Sequence, residues 1–220
     1  MKRILLAVTI STAPACAAGA SEPGPRTVQP GAPGEASREV EAARPGRAEH
    51  PYTAADVGFL RAMIPHHAQA LAMTALAPDR AAREDIRLLA ERIDASQRTE
   101  IAQMRRWLES RGEPAPATGW EQHAGHVMAA AAAGDPGGAH GMATPEELAR
   151  LEAARGAAFD RLFLTLMIRH HEGALTMTRE LLASEGAGQE PELFQLLSHI
   201  DADQRAEIAR MRRILDAPQP

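Results

Sequence analysis

Two sets of methionine and histidine recur in this chain at the same spacing: Met63, His66, His67 and Met73, then Met167, His170, His171 and Met177. At about 100° per residue, Met63, His66, His67, Ala70 and Met73 fall within roughly 120° of one helix face. Asp56 and Phe59 continue that stripe, and Asp160, Phe163 and Ala174 do the same for the later set. Thioether sulfur is polarisable and suits Cu(I), and imidazole is accepted by copper in either common oxidation state. A thioether also has no proton to lose and forms no disulfide, so it stays usable in an oxidising compartment. The pattern predicts a soft metal, copper as Cu(I) with silver as an alternative, held inside a helical core. The plainer reading is that methionine fills cores and a buried histidine is merely hydrogen-bonded. Adjacent imidazoles, present twice with flanking sulfurs, favour the metal.

Further residues extend the candidate set. Met104 and Met211 are weaker ligands, expected level with residues 52–56, some 15–20 Å along the axis from the His pair at 1.5 Å rise per residue. A connecting segment supplies His123, His126, Met128, His140 and Met142, which either capture ions loosely or are a polar linker. Asp56, Gln97, Glu100, Asp160, Gln204 and Glu207 are candidates to orient the histidines by hydrogen bonding, or else sit at the core's edge. No Gly-rich phosphate loop, nucleophile elbow, His-Glu-x-x-His or CxxC motif occurs. No catalytic residue is therefore assigned. One rival is a di-metal oxidase using Asp56, Glu100, Asp160, Glu207 and the histidines. The other is a helical interaction module in which the stripe is packing alone.

The elements that must position these residues are helices. Ala, Leu, Arg and Glu dominate and aromatics make up 3%, with no β-branched run to argue for a sheet. Thr53 with Asp56 caps a helix running to about Leu76, and Pro78-Asp79 open a second that reaches about Ser110. Residues 113–143 form a long crossover. Thr144-Pro145-Glu146-Glu147 starts a third helix continuing to about Ser184, and Pro191 begins a fourth ending near Leu215. The Met/His block repeats after 104 positions, and Ile93-Asp94-Ala95 through Leu108 repeats after 107 as Ile200-Asp201-Ala202 through Leu215. A hairpin, a crossover and a second hairpin predict an all-α, ferritin-like four-helix bundle built from a duplicated helical hairpin, over residues 51–217.

Residues 1–20 begin with Lys2-Arg3, continue through an apolar run and end in small residues, which reads as an export signal too short to span a bilayer. Cys16, the only cysteine, lies at its end. Lipidation there would give a cell-envelope lipoprotein; cleavage at a small-residue triplet would give a free periplasmic protein. Residues 21–50, rich in Pro, Gly, Ala and Glu, predict a flexible tether. The formal charge is −5, with arginines interleaved among acids, so no nucleic-acid footprint is present. The expected partners are metal ions and other copper-handling proteins, with a membrane reached only through a lipid on Cys16.

On Asp56-x-x-Phe59-x-x-x-Met63-Ile64-Pro65-His66-His67, Phe163 through Ala174, and the Gln97-x-x-Glu100-Ile101-x-x-Met104 and Gln204-x-x-Glu207-Ile208-x-x-Met211 blocks, the chain resembles a CopM-like bacterial family catalogued as a domain of unknown function. That family's hallmark is a duplicated M-I-x-H-H segment in a ferritin-like bundle. The resemblance covers roughly residues 52–216. It implies periplasmic or extracellular copper or silver binding linked to metal tolerance. The crossover carries only Met128 and Met142 where relatives often have more methionine.

Overall fold

The structure, a computed structural model, describes residues 27–29, 38–40, 51–117 and 139–217. Within the N-terminal unit, β1 (Thr27–Gln29) pairs antiparallel with β2 (Arg38–Val40), Thr27 opposite Val40. This short ladder lies in the segment expected to be a tether. The export segment, Cys16, His123, His126 and Met128 lie outside the described residues. No helix among the described residues is long and apolar enough to cross a membrane.

The second unit is helical. Helix α1 (Ala54–Thr74) starts at the expected capping box: the Asp56 amide donates to Thr53 Oγ1 at 3.2 Å, and the Thr53 amide donates to Asp56 Oδ2 at 2.7 Å. It remains one helix across Pro65. The second expected helix divides. A single turn, α2 (Ala77–Arg80), gives way to extended backbone at Ala81 and Arg83, and α3 (Glu84–Glu109) follows. The interruption exists because the Ala82 and Arg83 amides turn toward the carboxylate of Asp160, at 3.1 and 3.2 Å. The third expected helix divides too. Helix α4 (Pro145–Ala153) stops at extended Ala154 and Arg155, and α5 (Gly156–Leu182) begins at Gly156 with φ +63°, a region that costs glycine nothing. The break lets α4 fold Leu148 and Leu151 onto the core beside Phe159 and Phe163. Helix α6 (Pro191–Asp216) completes the set.

Helix α1 packs on α3, α5 on α6, α1 on α5, and α3 on α6. Val57, Leu60 and Met63 from the start of α1 share an apolar cluster with Ala174, Met177 and Leu181 from the end of α5. Ala70 and Met73 from the end of α1 join Phe159, Phe163 and Met167 from the start of α5. The two Met/His helices are therefore antiparallel, the hairpin–crossover–hairpin arrangement expected of a ferritin-like bundle. Trp107 on α3 donates to Glu190 Oε2 at 2.9 Å, and that carboxylate also caps α6 through the Leu193 amide. One residue thus ties the two hairpins together and satisfies one of the free amides at the start of α6.

Candidate metal centre

The antiparallel crossing of α1 and α5 places equivalent histidines against each other. The His66 and His170 rings lie 3.8 Å apart between centroids, tilted by 36°. His67 lies 6.4 Å from His66, and His171 lies 6.0 Å from His170. All four are at most 3% exposed.

Each ring is held through Nε2. His66 Nε2 donates to the carbonyl of His140 at 3.0 Å, and His170 Nε2 to the carbonyl of His66 at 2.9 Å. A carbonyl only accepts, so these two nitrogens carry the proton. His67 Nε2 meets Glu100 Oε2, and His171 Nε2 meets Glu207 Oε2, both at 2.6 Å. Burial, and then the neighbouring histidines, push His66 down to about 3 and His170 well below its ordinary value of 6.5. Both rings are neutral at pH 7. None of the four Nδ1 atoms has a hydrogen-bond partner.

The expected orienting groups divide by role. Glu100 and Glu207 are buried and bond directly to histidines. Ser96 reaches across from α3 to Glu207 Oε1 at 3.3 Å. Gln97 and Gln204 are buried on the same helix faces; neither amide atom of Gln97 has a partner, nor has Oε1 of Gln204. Asp56 and Asp160 bond elsewhere. Asp56 Oδ1 accepts from the Gly188 amide at 2.7 Å, ahead of α6, as Asp160 accepts from the amides ahead of α3. Each aspartate fastens the opposite hairpin's loop. The carboxylates a di-metal oxidase needs are thereby dispersed, since Asp56 lies eleven residues, about 16 Å of helix, before His67.

The methionines sort into two trios. Met63, Met104 and Met177 share one apolar cluster; Met73, Met167 and Met211 share the other. The expected 15–20 Å offset of Met104 and Met211 is overturned. Because Glu100 bonds to His67, Met104 lies one turn, about 6 Å, beyond it, level with Met63 rather than with residues 52–56. The same register sets Met211 level with Met167. The interrupted stretch Ala77–Arg83 does not continue α3's rise down the hairpin, and so shifts the pairing of the two helices.

The end of the crossover forms a strap over this centre. A 3₁₀ turn, Ala139–Gly141, has His140 at φ +51°. The His140 carbonyl receives His66, while its half-exposed ring pairs with Glu180 at 2.9 Å. Met142 is buried. Gln69, fully buried, holds Ala143 by both backbone groups, donating to its carbonyl at 3.0 Å and accepting from its amide at 2.8 Å. Arg169 reaches the carbonyls of Gly141 and Met142 and pairs with Glu147, whose carboxyl it holds down to about 2. Sequence reasoning gave Gln69, Glu147 and Gly173 no part in holding this strap. A signal existed: the repeats differ at Pro65 against Arg169 and at Gln69 against Gly173, positions where the strap is held or accommodated.

Among the described residues, no three His, Cys, Asp or Glu side chains are grouped to hold one ion together. The arrangement offers paired nitrogen donors with sulfur on either side. A ready-made histidine cage is absent among them.

A family model for a domain of unknown function, DUF305, matches residues 56–215. The chain belongs to the DUF305 family. No curated protein matches it. A DUF305 fragment from Deinococcus radiodurans is 34% identical, with a TM-score of 0.60 over 75% of this chain and 97% of that one. A DUF305 protein of Streptomyces coelicolor, named as a candidate secreted protein, is 27% identical, with a TM-score of 0.59 over 76% and 94%. CopM in its Cu(I)-bound form is 28% identical, with a TM-score of 0.53 over 74% and 95%. The four-helix unit of this chain thus has the architecture of its DUF305 relatives.

Proposed function

We propose that this DUF305 protein is an exported carrier of soft metal, binding Cu(I), with silver as an alternative cargo, for sequestration, transfer or tolerance. The observation that carries the reading is the set of four buried Nδ1 atoms, on His66, His67, His170 and His171, that have no partner inside the protein. A buried polar atom left unpaired costs roughly 1–3 kcal/mol. A set of four adjacent ones, two of them on rings kept neutral, is chemistry suited to a Lewis acid. The six methionines of the two core clusters make that acid a soft one.

CopM, similar along most of the domain, is known with Cu(I) bound, which supports the same cargo here. The secreted designation of the Streptomyces relative, with the Lys2-Arg3 segment and its apolar run, supports export to the periplasm or cell envelope. A lipid on Cys16 would hold the domain at a membrane. Other copper-handling proteins would then receive or supply the ion. In this reading His140 and Met142 stand at the strap where an ion enters.

The test is competition with a chromophoric Cu(I) chelator under reducing, anaerobic conditions. Replacing His66, His67, His170 and His171 by Ala should weaken binding beyond the roughly 10–100-fold typical of losing a group that only supports a ligand. Unchanged affinity would leave a helical interaction module.

A further inference from the structure

Arg92, Gln103 and Arg106 fall within about 60° of one face of α3, and Gln195, Arg210 and Arg213 within about 60° of one face of α6. The two helices run antiparallel with these faces side by side. Ser96 meets Glu207 at 3.3 Å midway along, and Trp107 meets Glu190 at 2.9 Å at one end. Arg92 and Arg210 each lie about one turn beyond the Ser96–Glu207 contact in the same direction, and so come to one level. Toward the other end the helices part into a groove of about 260 Å³, with Gln103 and Arg106 on one wall, Gln195 and His199 on the other, and buried Trp107 and Leu196 beneath. The charges on this seam are unlike those around it. Elsewhere on the two helices, Arg87 pairs with Glu84, Arg98 with Asp94, Arg205 with Asp201 and Arg212 with Glu172. Arg92, Arg106, Arg210 and Arg213 are all exposed and have no ion pair among the described residues. The acids of the seam are mostly spent: Asp85 pairs with Arg83 and Glu192 with Arg111, which leaves Asp203. A chain of formal charge −5 thus gathers an excess of positive charge along one seam.

We propose that the α3–α6 seam docks an extended acidic segment of a partner protein. Arg92 and Arg106 are separated by roughly 21 Å of helix, the span of about six extended residues. Carboxylates at the two ends of such a segment meet Arg92, Arg210 and Arg213 on one side and Arg106 on the other. Between them, Gln103 and Gln195 face the groove with no hydrogen-bond partner among the described residues, and each offers a donor and an acceptor to a peptide bond. A flat lipid surface would engage the arginines and leave this concavity unused. Leu88, exposed on the same face of α3, adds an apolar contact. Charge complementarity of this kind speeds encounter and excludes basic partners more than it tightens the complex.

The experiment follows fluorescence anisotropy of a labelled oligoglutamate peptide, about ten residues long, as the metal-free full chain is added. Binding should appear at low ionic strength and weaken as salt screens the arginines. Arg106→Gln combined with Arg210→Gln should weaken it by roughly fivefold or more, an exposed ion pair being worth up to about that each, with an unchanged thermal midpoint. Arg98→Gln combined with Arg205→Gln removes the same charge from the neighbouring faces and should stay within about twofold of wild type. Gln103→Ala combined with Gln195→Ala should weaken the peptide by roughly 2–10-fold without altering the salt dependence. Equal losses in the two arginine pairs, a glutamine pair at wild-type affinity, or no binding of the peptide would each overturn the proposal. Capture by phosphatidylglycerol vesicles with the peptide ignored would make the seam a lipid contact instead. Self-association of the wild type that Arg106→Gln with Arg210→Gln abolishes would give it to a second copy of the chain.

Discussion

Gly173 on α5 lies so close to His140 that a methyl group added at 173 would overlap the His140 carbonyl, the acceptor for His66. The missing side chain is what lets the strap reach the histidines. Gly173→Ala should therefore lift Ala139–Ala143 from the bundle, at a cost of about 1–3 kcal/mol for overpacking, and leave His66 Nε2 unpaired. Thermal unfolding should fall and the apparent Cu(I) affinity change together. A variant with wild-type values for both would mean that the strap is not set by this contact.

Gln69 is the strap's second anchor. Gln69→Leu keeps the volume but strands the amide and carbonyl of Ala143, both buried against it. The expected loss is about 1–3 kcal/mol per stranded group, read as a lower urea midpoint with an unchanged slope. Hydrogen exchange at the Ala143 amide should accelerate in the variant, and unaltered protection there would refute the assignment.

Metal-free protein should lose stability in mild acid. His66 takes a proton only near pH 3 when folded but near 6.5 when unfolded. Between those values the unfolded chain binds the extra proton, so stability falls as the pH drops through this window and is complete above it. One such histidine gives a slope of about 1.4 kcal/mol per pH unit, and His170 shifts in the same direction. His66→Gln should flatten the decline in denaturant midpoint between pH 6 and 4. An identical decline would place the acid sensitivity elsewhere.

Asp56 and Asp160 should behave as staples rather than as metal groups. Asp160→Ala removes the acceptor for Ala82 and Arg83 at the start of α3, and Asp56→Ala removes both a capping box and the acceptor for Gly188. Each should cost about 1–2 kcal/mol, as a lost cap does. Cu(I) affinity of the folded variants should stay within a few-fold of wild type. A large loss of metal at either position would return the aspartates to the centre.

Local chemistry and periodicity were enough to place the long helices. Thr53 and Thr144, each with an acid three residues on, can cap only a helix on their C-terminal side, and the Met/His stripe at helical spacing has one inward face. The repeat further required that whatever one hairpin buries, the other buries too, which is why both His pairs and the glutamates opposite them were legible. Pairing between distant segments was not legible. The register of α3 against α1 depends on how Ala81–Arg83 leave helical geometry to reach Asp160, a residue 77 positions or more away in sequence, and it moved Met104 from remote to adjacent. The strap on Gln69 and Gly173, and the stacking of His66 on His170, likewise arise only once two antiparallel helices cross at a particular residue. Spacing along a chain fixes which face a side chain takes; the neighbour it meets there is settled by how separate elements pack.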